Sequence, residues 1–136
     1  MFLPQMEKKH ITLDIAEDFD FSYYGNVELM EQIWINLLNN AIKFTQIGGE
    51  IFIFAKQYND QLIIFIKDNG IGMDKDTSSH IFEKYYQNDT ANIVKGNGIG
   101  LAVVKRIVEL CGGSIEVDST LGSGSLFSVI LDIQKQ

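Results

Sequence analysis

Asn36, Asn40 and Lys43 stand four and three residues apart in the stretch Glu31-Gln-Ile-Trp-Ile-Asn-Leu-Leu-Asn-Asn-Ala-Ile-Lys-Phe44. At about 100° per residue, that spacing gathers two side-chain amides and an ammonium on one face of a helix. Carboxamide oxygens are hard donors suited to Mg²⁺, and an ammonium one turn further on can meet the phosphates that such a cation bridges. The trio therefore suggests a metal-nucleotide site. The same residues would also suit the solvated side of a helix that packs by its other face, so the choice rests on the glycine clusters downstream.

Asp68-Asn69-Gly70-Ile71-Gly72 directly follows an apolar strand-like run. A carboxylate at a strand end can accept a hydrogen bond from an exocyclic amine, and glycines let a flat ring approach the backbone, a combination that suits adenine. Turn glycines after a strand are the plain alternative. Gly96-Asn97-Gly98-Ile99-Gly100-Leu101 precedes a second helical pattern, where free backbone N–H groups and the helix dipole make an anion site. Its glycine spacing matches neither the P-loop nor the dinucleotide fingerprint. Ser125, just beyond Gly124, offers a strand hydroxyl that can return to Asp68 directly or through water. Phe82, Tyr85 and Tyr86 can anchor the intervening loop or serve as ordinary core aromatics. His10 and His80, the only histidines, belong to no metal-ligand spacing or nucleophile pair.

Composition narrows the classes. A chain of 136 residues with 46% hydrophobic residues, Gly 12 and Pro 1 is one globular unit with a real core. The net charge of −7 argues against a nucleic-acid surface. Cys111, the one cysteine, cannot form an internal disulfide and reads as a core thiol in a reducing compartment. The longest apolar run, near Leu62 to Ile66, is too short to span a bilayer, and no signal-peptide core opens the chain.

The elements that must position these groups follow from periodicity. Val27 to Phe44 is the long helix, with Met30, Ile33, Trp34, Leu37, Leu38 and Ala41 as its apolar stripe, Asn26 as N-cap, and Gly48-Gly49 beyond its end. Before it, Ile11 to Ile15 and Phe21 to Tyr24 read as strands joined by an acidic turn, and Met1 to Lys9 as a short turn or the tail of an upstream connection. Glu50 to Tyr58 and Gln61 to Asp68 form a hairpin across Asn59-Asp60, the second strand being apolar on both faces and so central. Met73 to Asn97 is irregular, with a short helix near Thr77 to Glu83 and a loop of the length that lids have. Ile99 to Leu110 is helical through Leu101, Val104, Ile107 and Val108, and Ser114 to Asp118 with Ser125 to Asp132 closes the sheet.

Taken together, the Asn36 to Phe44 run, Asp68 to Gly72, Ile81 to Tyr86, Gly96 to Leu101 and Gly122 to Ser125 resemble, in order and separation, the N, G1, F, G2 and G3 boxes of sensor histidine kinases. The resemblance runs from about Ile11 to Ile133. It implies an α/β sandwich, a mixed and mostly antiparallel sheet under one layer of about three helices with a mobile ATP lid, and a catalytic ATP-binding domain over residues 11–136 after a connecting segment over 1–10. It further implies ATP and Mg²⁺ as cofactors. Asn40 would hold the metal, Asn36 and Lys43 the phosphates, and Phe44 would line the pocket. Asp68, with Gly70 and Gly72, would read adenine, Gly96, Gly98, Ile99, Gly100 and Leu101 would cradle the triphosphate, Lys84 would reach a phosphate, and Ser125 would complete the adenine end.

In hydrolases of the same superfamily a glutamate stands where this chain has Asn36, and an amide cannot take a proton from water. The implied activity is therefore presentation of the γ-phosphate to a histidine, from which it passes to an aspartate on a response regulator. Neither His10 nor His80 matches the acceptor sequence, so that histidine is expected on a separate dimerisation domain of a larger receptor. The expectation is a monomeric cytoplasmic domain without nucleic-acid or direct membrane contact, its parent an inner-membrane sensor or a split system. Two alternatives stay open: a stand-alone serine kinase of the anti-sigma-factor type, and a nucleotide-binding interaction module without phosphoryl transfer.

Overall fold

A computed structural model describes residues 3–15, 27–58, 60–83 and 100–132. In chain order the elements are α1 (Leu3–Lys9), β1 (Thr12–Ile15), α2 (Val27–Phe44), β2 (Glu50–Tyr58), β3 (Gln61–Asp68), α3 (Lys75–His80), α4 (Gly100–Leu110), β4 (Ser114–Thr120) and β5 (Gly124–Asp132). The strands form one sheet in the order β1-β2-β3-β5-β4, in which only the β1–β2 pair is parallel. This is the mixed, mostly antiparallel α/β sandwich that the motifs imply. A parallel pair needs a crossover connection, and α2 lies within it.

Alternation along the strands decides which face is covered. Ile53 of β2, Ile66 of β3, Phe127 of β5 and Val117 of β4 are register partners in one row across the sheet, and they turn toward the helices. One row nearer the site, Ile51, Asp68, Ser125 and Ser119 are aligned the same way. On β3, β5 and β4, polar side chains on the helix-covered face thus gather at the end of the sheet where β3 stops. β3 is the middle strand, and Leu62, Ile64 and Ile66 are all buried. On the opposite face Phe54 stacks between Phe52 and Phe65, with ring centroids 5.0 and 4.6 Å away.

The helices bury the stripes that their 3.6-residue period creates. From α2, Ile33, Leu37 and Ala41 are fully buried, while Met30, Trp34 and Leu38 pack half-buried at the core's margin. Ile42, outside the expected stripe, is buried as well. Leu101, Val104, Ile107 and Val108 of α4 meet this surface, so the two helices pack directly on one another. Each aliphatic side chain buried here contributes roughly 1.5–3 kcal/mol.

Several local expectations change. Residues 3–9 form a helix rather than a turn, and its Met6 joins the core. The short helix runs over Lys75–His80 rather than near Thr77 to Glu83, because the Asp74 side chain accepts from the Thr77 N–H at 2.8 Å and caps it. The expected strand at Phe21 to Tyr24 and the Asn26 cap lie outside the described residues, as does Asn59 of the hairpin turn. Tyr58 pairs with Gln61, however, so the two-residue connection has the expected register. Cys111 is half-buried at the end of α4, and burial pushes its thiol pKa up, which disfavours the reactive thiolate.

Candidate functional site

The end of α2 is fastened from several directions. The Lys9 ammonium donates to the carbonyls of Ile42, Lys43 and Thr45 at 2.8, 3.0 and 3.1 Å. These carbonyls belong to the last turn of α2 and the residue beyond it, where a helix lacks internal partners and carries its partial negative charge, so a cation is favoured there. Burial lowers the Lys9 pKa from 10.5, and three carbonyl acceptors compensate for the lost water. The Gly48 N–H returns to the Lys9 carbonyl at 2.7 Å, closing the clasp.

From the same helix end, the Phe44 carbonyl accepts the Ile71 N–H at 3.1 Å. That bond draws the loop after β3 against α2. At Gly70 any Cβ would run into the Phe44 carbonyl, and at Gly72, where φ is +68°, it would run into the Thr120 carbonyl. Close backbone packing, rather than room for a ring alone, thus requires glycine at both positions. The β4–β5 turn grips the loop's other side. The Gly122 N–H donates to the Ile71 carbonyl at 2.6 Å, and the Met73 N–H donates to the Ser119 hydroxyl at 2.8 Å.

Asp68 lies at the bottom of this clamp and is only 4% exposed. Its carboxylate accepts the Gly70 N–H at 2.9 Å and the backbone N–H of Ser125. Burial pushes its pKa up from 3.8, and the two N–H donors oppose the rise. An ionised carboxylate only accepts hydrogen bonds, so any polar partner brought to this position has to be a donor. The return from Ser125 to Asp68 runs through the main chain; the Ser125 hydroxyl instead pairs with Ser119 at 2.8 Å. Nothing local marks Ser119 in the sequence, since its partners Met73 and Ser125 lie on other elements.

The second end of the site lies between α2 and the start of α4. The Asn36 Nδ2 donates to the Gln32 carbonyl at 2.8 Å, which leaves Oδ1 without a partner among the described residues. That oxygen lies across from Gly100, where a Cβ would stand 3.1 Å from it and 3.7 Å from Cγ. The amide surface of α2 and the N-terminus of α4 therefore face each other at close range. Asn40 is half-buried one turn along, and Lys43 is exposed in the last turn. Leu101 turns into the core beside Gly100. Lys84, Gly96, Gly98 and Ile99 lie outside the described residues, as do Tyr85 and Tyr86. Phe82 is described: its ring meets Phe127 edge-on at 6.1 Å, and the Lys105 ammonium lies 5.9 Å above it.

Among the described residues no three His, Cys, Asp or Glu side chains converge on a cation site. A cation here would rest on amide oxygens, water and the phosphates of a bound nucleotide rather than on a cluster of protein carboxylates.

The family model described as "Histidine kinase-, DNA gyrase B-, and HSP90-like ATPase" matches residues 25–135. The chain belongs to this family. The circadian input-output histidine kinase CikA of Synechococcus elongatus is 42% identical over 102 residues, covering 74% of this chain and 14% of that protein. The adaptive-response sensory kinase SasA of Thermosynechococcus vestitus is 34% identical over 130 residues, covering 95% of this chain and 34% of that protein. The chain thus spans a minor part of the length of these relatives. Among solved structures, the mycobacterial sensor histidine kinase MprB superposes with a TM-score of 0.85 at 22% identity, over 99% of this chain and 92% of that one. Full-length ShkA in complex with AMPPNP gives the same TM-score at 27% identity, over 99% of this chain and 28% of that one. The domain is thus a histidine-kinase-type ATP-binding domain, and among the described residues no helix is long and apolar enough to cross a membrane.

Proposed function

We propose that residues 11–136 bind Mg·ATP along α2 and present its γ-phosphoryl group to a histidine on a separate dimerisation domain, residues 1–10 being the connection to it. The observation that carries this reading is the Asn36 amide facing Gly100 at the N-terminus of α4. Asn36 and Phe44 are eight positions apart, about 12 Å at 1.5 Å per residue. A nucleoside triphosphate laid along that length puts its purine at Asp68 and its phosphates between the two helices. Asn40 is the proposed Mg²⁺ ligand, Lys43 and Lys84 meet phosphate oxygens, and the segment from Gly96 to Leu101 supplies N–H donors. Bound Mg²⁺ neutralises phosphate charge, and the domain's own residues supply position and electrostatic stabilisation.

Because Asn36 is an amide, the site offers no carboxylate there to deprotonate water. An imidazole nitrogen needs no such base. It attacks the γ-phosphorus while the bond to the β–γ bridging oxygen breaks and ADP leaves. Onward transfer to an aspartate of a response regulator, a cytoplasmic location and a monomeric state for the isolated domain complete the proposal.

The test is incubation with Mg·[γ-³²P]ATP and a dimerisation domain that carries the acceptor histidine. Acid-labile, alkali-stable label on that domain is expected. Label on serine would point to an anti-sigma-type kinase, and tight ATP binding without label on any partner would point to a binding module; either outcome contradicts the proposal.

A further inference from the structure

Ser119 lies outside every nucleotide-site motif, yet it touches three groups at the purine end of the site. Its hydroxyl oxygen accepts the Met73 N–H at 2.8 Å, lies 3.0 Å from the Gly124 carbonyl and lies 2.8 Å from the Ser125 hydroxyl oxygen. A serine hydroxyl has one proton and two acceptor lone pairs. Met73 N–H can only donate and the Gly124 carbonyl can only accept, so Ser119 must spend its single proton on Gly124. One arrangement of the two hydroxyl protons then satisfies all three contacts: Ser119 donates to Gly124, and Ser125 donates to Ser119.

The consequence falls on Ser125. Asp68, Ser125 and Ser119 are consecutive register partners on β3, β5 and β4, so their side chains share the helix-covered face in one row. With its proton committed to Ser119, the Ser125 oxygen has only lone pairs left to offer beside the Asp68 carboxylate. We propose that Ser119 is a specificity-determining positioning residue: by fixing the direction of the Ser119–Ser125 hydrogen bond it makes the purine end of the site accept hydrogen bonds only, favouring a 6-amino purine over a 6-oxo purine. Adenine carries donors at its 6-position, whereas a 6-oxo purine presents an acceptor there. Two acceptors facing that keto oxygen leave buried polar groups unpaired, the situation in which hydrogen-bonding sites discriminate most strongly. This inference rests on the placement of the purine at Asp68 proposed above.

The experiment is titration of the purified chain with Mg·ATP and Mg·ITP, which differ at the purine 6-position, and comparison of the affinity ratio among variants. In Ser119→Ala the Ser125 hydroxyl is free to rotate and donate to a keto oxygen. The ATP:ITP ratio should fall by about tenfold, the worth of one hydrogen bond to a ligand. Ser119→Thr, which keeps the hydroxyl, should restore it. A merely structural role would weaken both nucleotides together and leave the ratio unmoved, and that result overturns the inference. Ser125→Ala provides a second route should Ser119→Ala fail to fold: a comparable fall in the ratio supports the inference, and an unchanged ratio refutes it. If the unaltered chain binds neither nucleotide, the placement of the site itself fails, an outcome separable from the others because it appears before any substitution.

Discussion

The two ends of the proposed site are built by different means. At the purine end, backbone groups of α2, the loop after β3 and the β4–β5 turn interlock through Phe44, Ile71, Gly122 and Met73, so that Asp68 is held by main-chain donors. At the phosphate end, side chains along a half-buried flank of α2 face the first turn of α4, and among the described residues Asn36 is braced by one bond, to Gln32. Preorganisation at one end and adjustable side chains at the other suit a ligand whose flat base must be read once and whose phosphates must move during transfer. Substitutions should therefore separate: changes at the purine end cost folding and binding together, whereas changes at the phosphate end cost function with the fold intact.

The largest effect is expected at Gly72. Gly72→Ala combines a positive φ with a backbone collision against Thr120, and should lower unfolding free energy by about 3 kcal/mol or more, read from urea denaturation. An effect below about 1 kcal/mol would show that the clamp is slack. At the other end, Asn40→Ala should change stability by no more than about 0.5 kcal/mol, while ATP affinity loses its Mg²⁺ dependence in titrations with and without EDTA. Coupled losses of fold and binding at Asn40 would erase the contrast between the two ends.

Lys9→Met sharpens the comparison from outside the site. Removal of an ammonium from three helix-end carbonyls should cost about 1–2 kcal/mol. Because those carbonyls flank Phe44, the purine end should also loosen, visible as faster amide exchange at Ile71. Unchanged exchange there would separate the clasp from the loop.

The pH response distinguishes the ends more finely. Asp68 has a folded pKa raised above 3.8, so the folded state holds its proton at pH values where the unfolded chain has released it. Stability from this group accordingly falls as pH rises above about 3.8 through the folded value, and Asp68→Asn should flatten that part of the curve while weakening ATP selectively. His80 gives the smallest effect. Glu83, and more weakly Asp76, raise its pKa above 6.5 at an exposed position. Its contribution is complete below pH 6.5 and fades as pH rises through the folded value; a thermal melt series of His80→Gln should show slightly less pH dependence in that window and no change in nucleotide affinity.

What the sequence disclosed follows the same division. The stripe on α2 and the pairing of β2 with β3 have short-range signatures, 3.6-residue and two-residue periods, and both are present in the fold. Asn36 and Gly100 stand out in the sequence because amides at helical spacing and glycines before a helix are unusual for packing alone, and the fold brings the two together. Lys9 and Ser119 were not legible. Lys9 acts on Ile42 from 33 residues away and Ser119 on Met73 from 46, and no local pattern marks a lysine that will cap another helix or a strand serine whose hydroxyl will hold a distant loop. Gly70 and Gly72 were noticed, but the carbonyls of Phe44 and Thr120 that exclude a side chain there come from other elements.

The most direct test of the account is a crystal structure of the chain grown with Mg·AMPPNP. The account predicts the purine 6-amino group on the Asp68 carboxylate, the metal on the Asn40 side-chain oxygen, and the phosphates between Asn36 and the first turn of α4. A nucleotide bound with its base away from Asp68, or with its phosphates outside the space between α2 and α4, would contradict it.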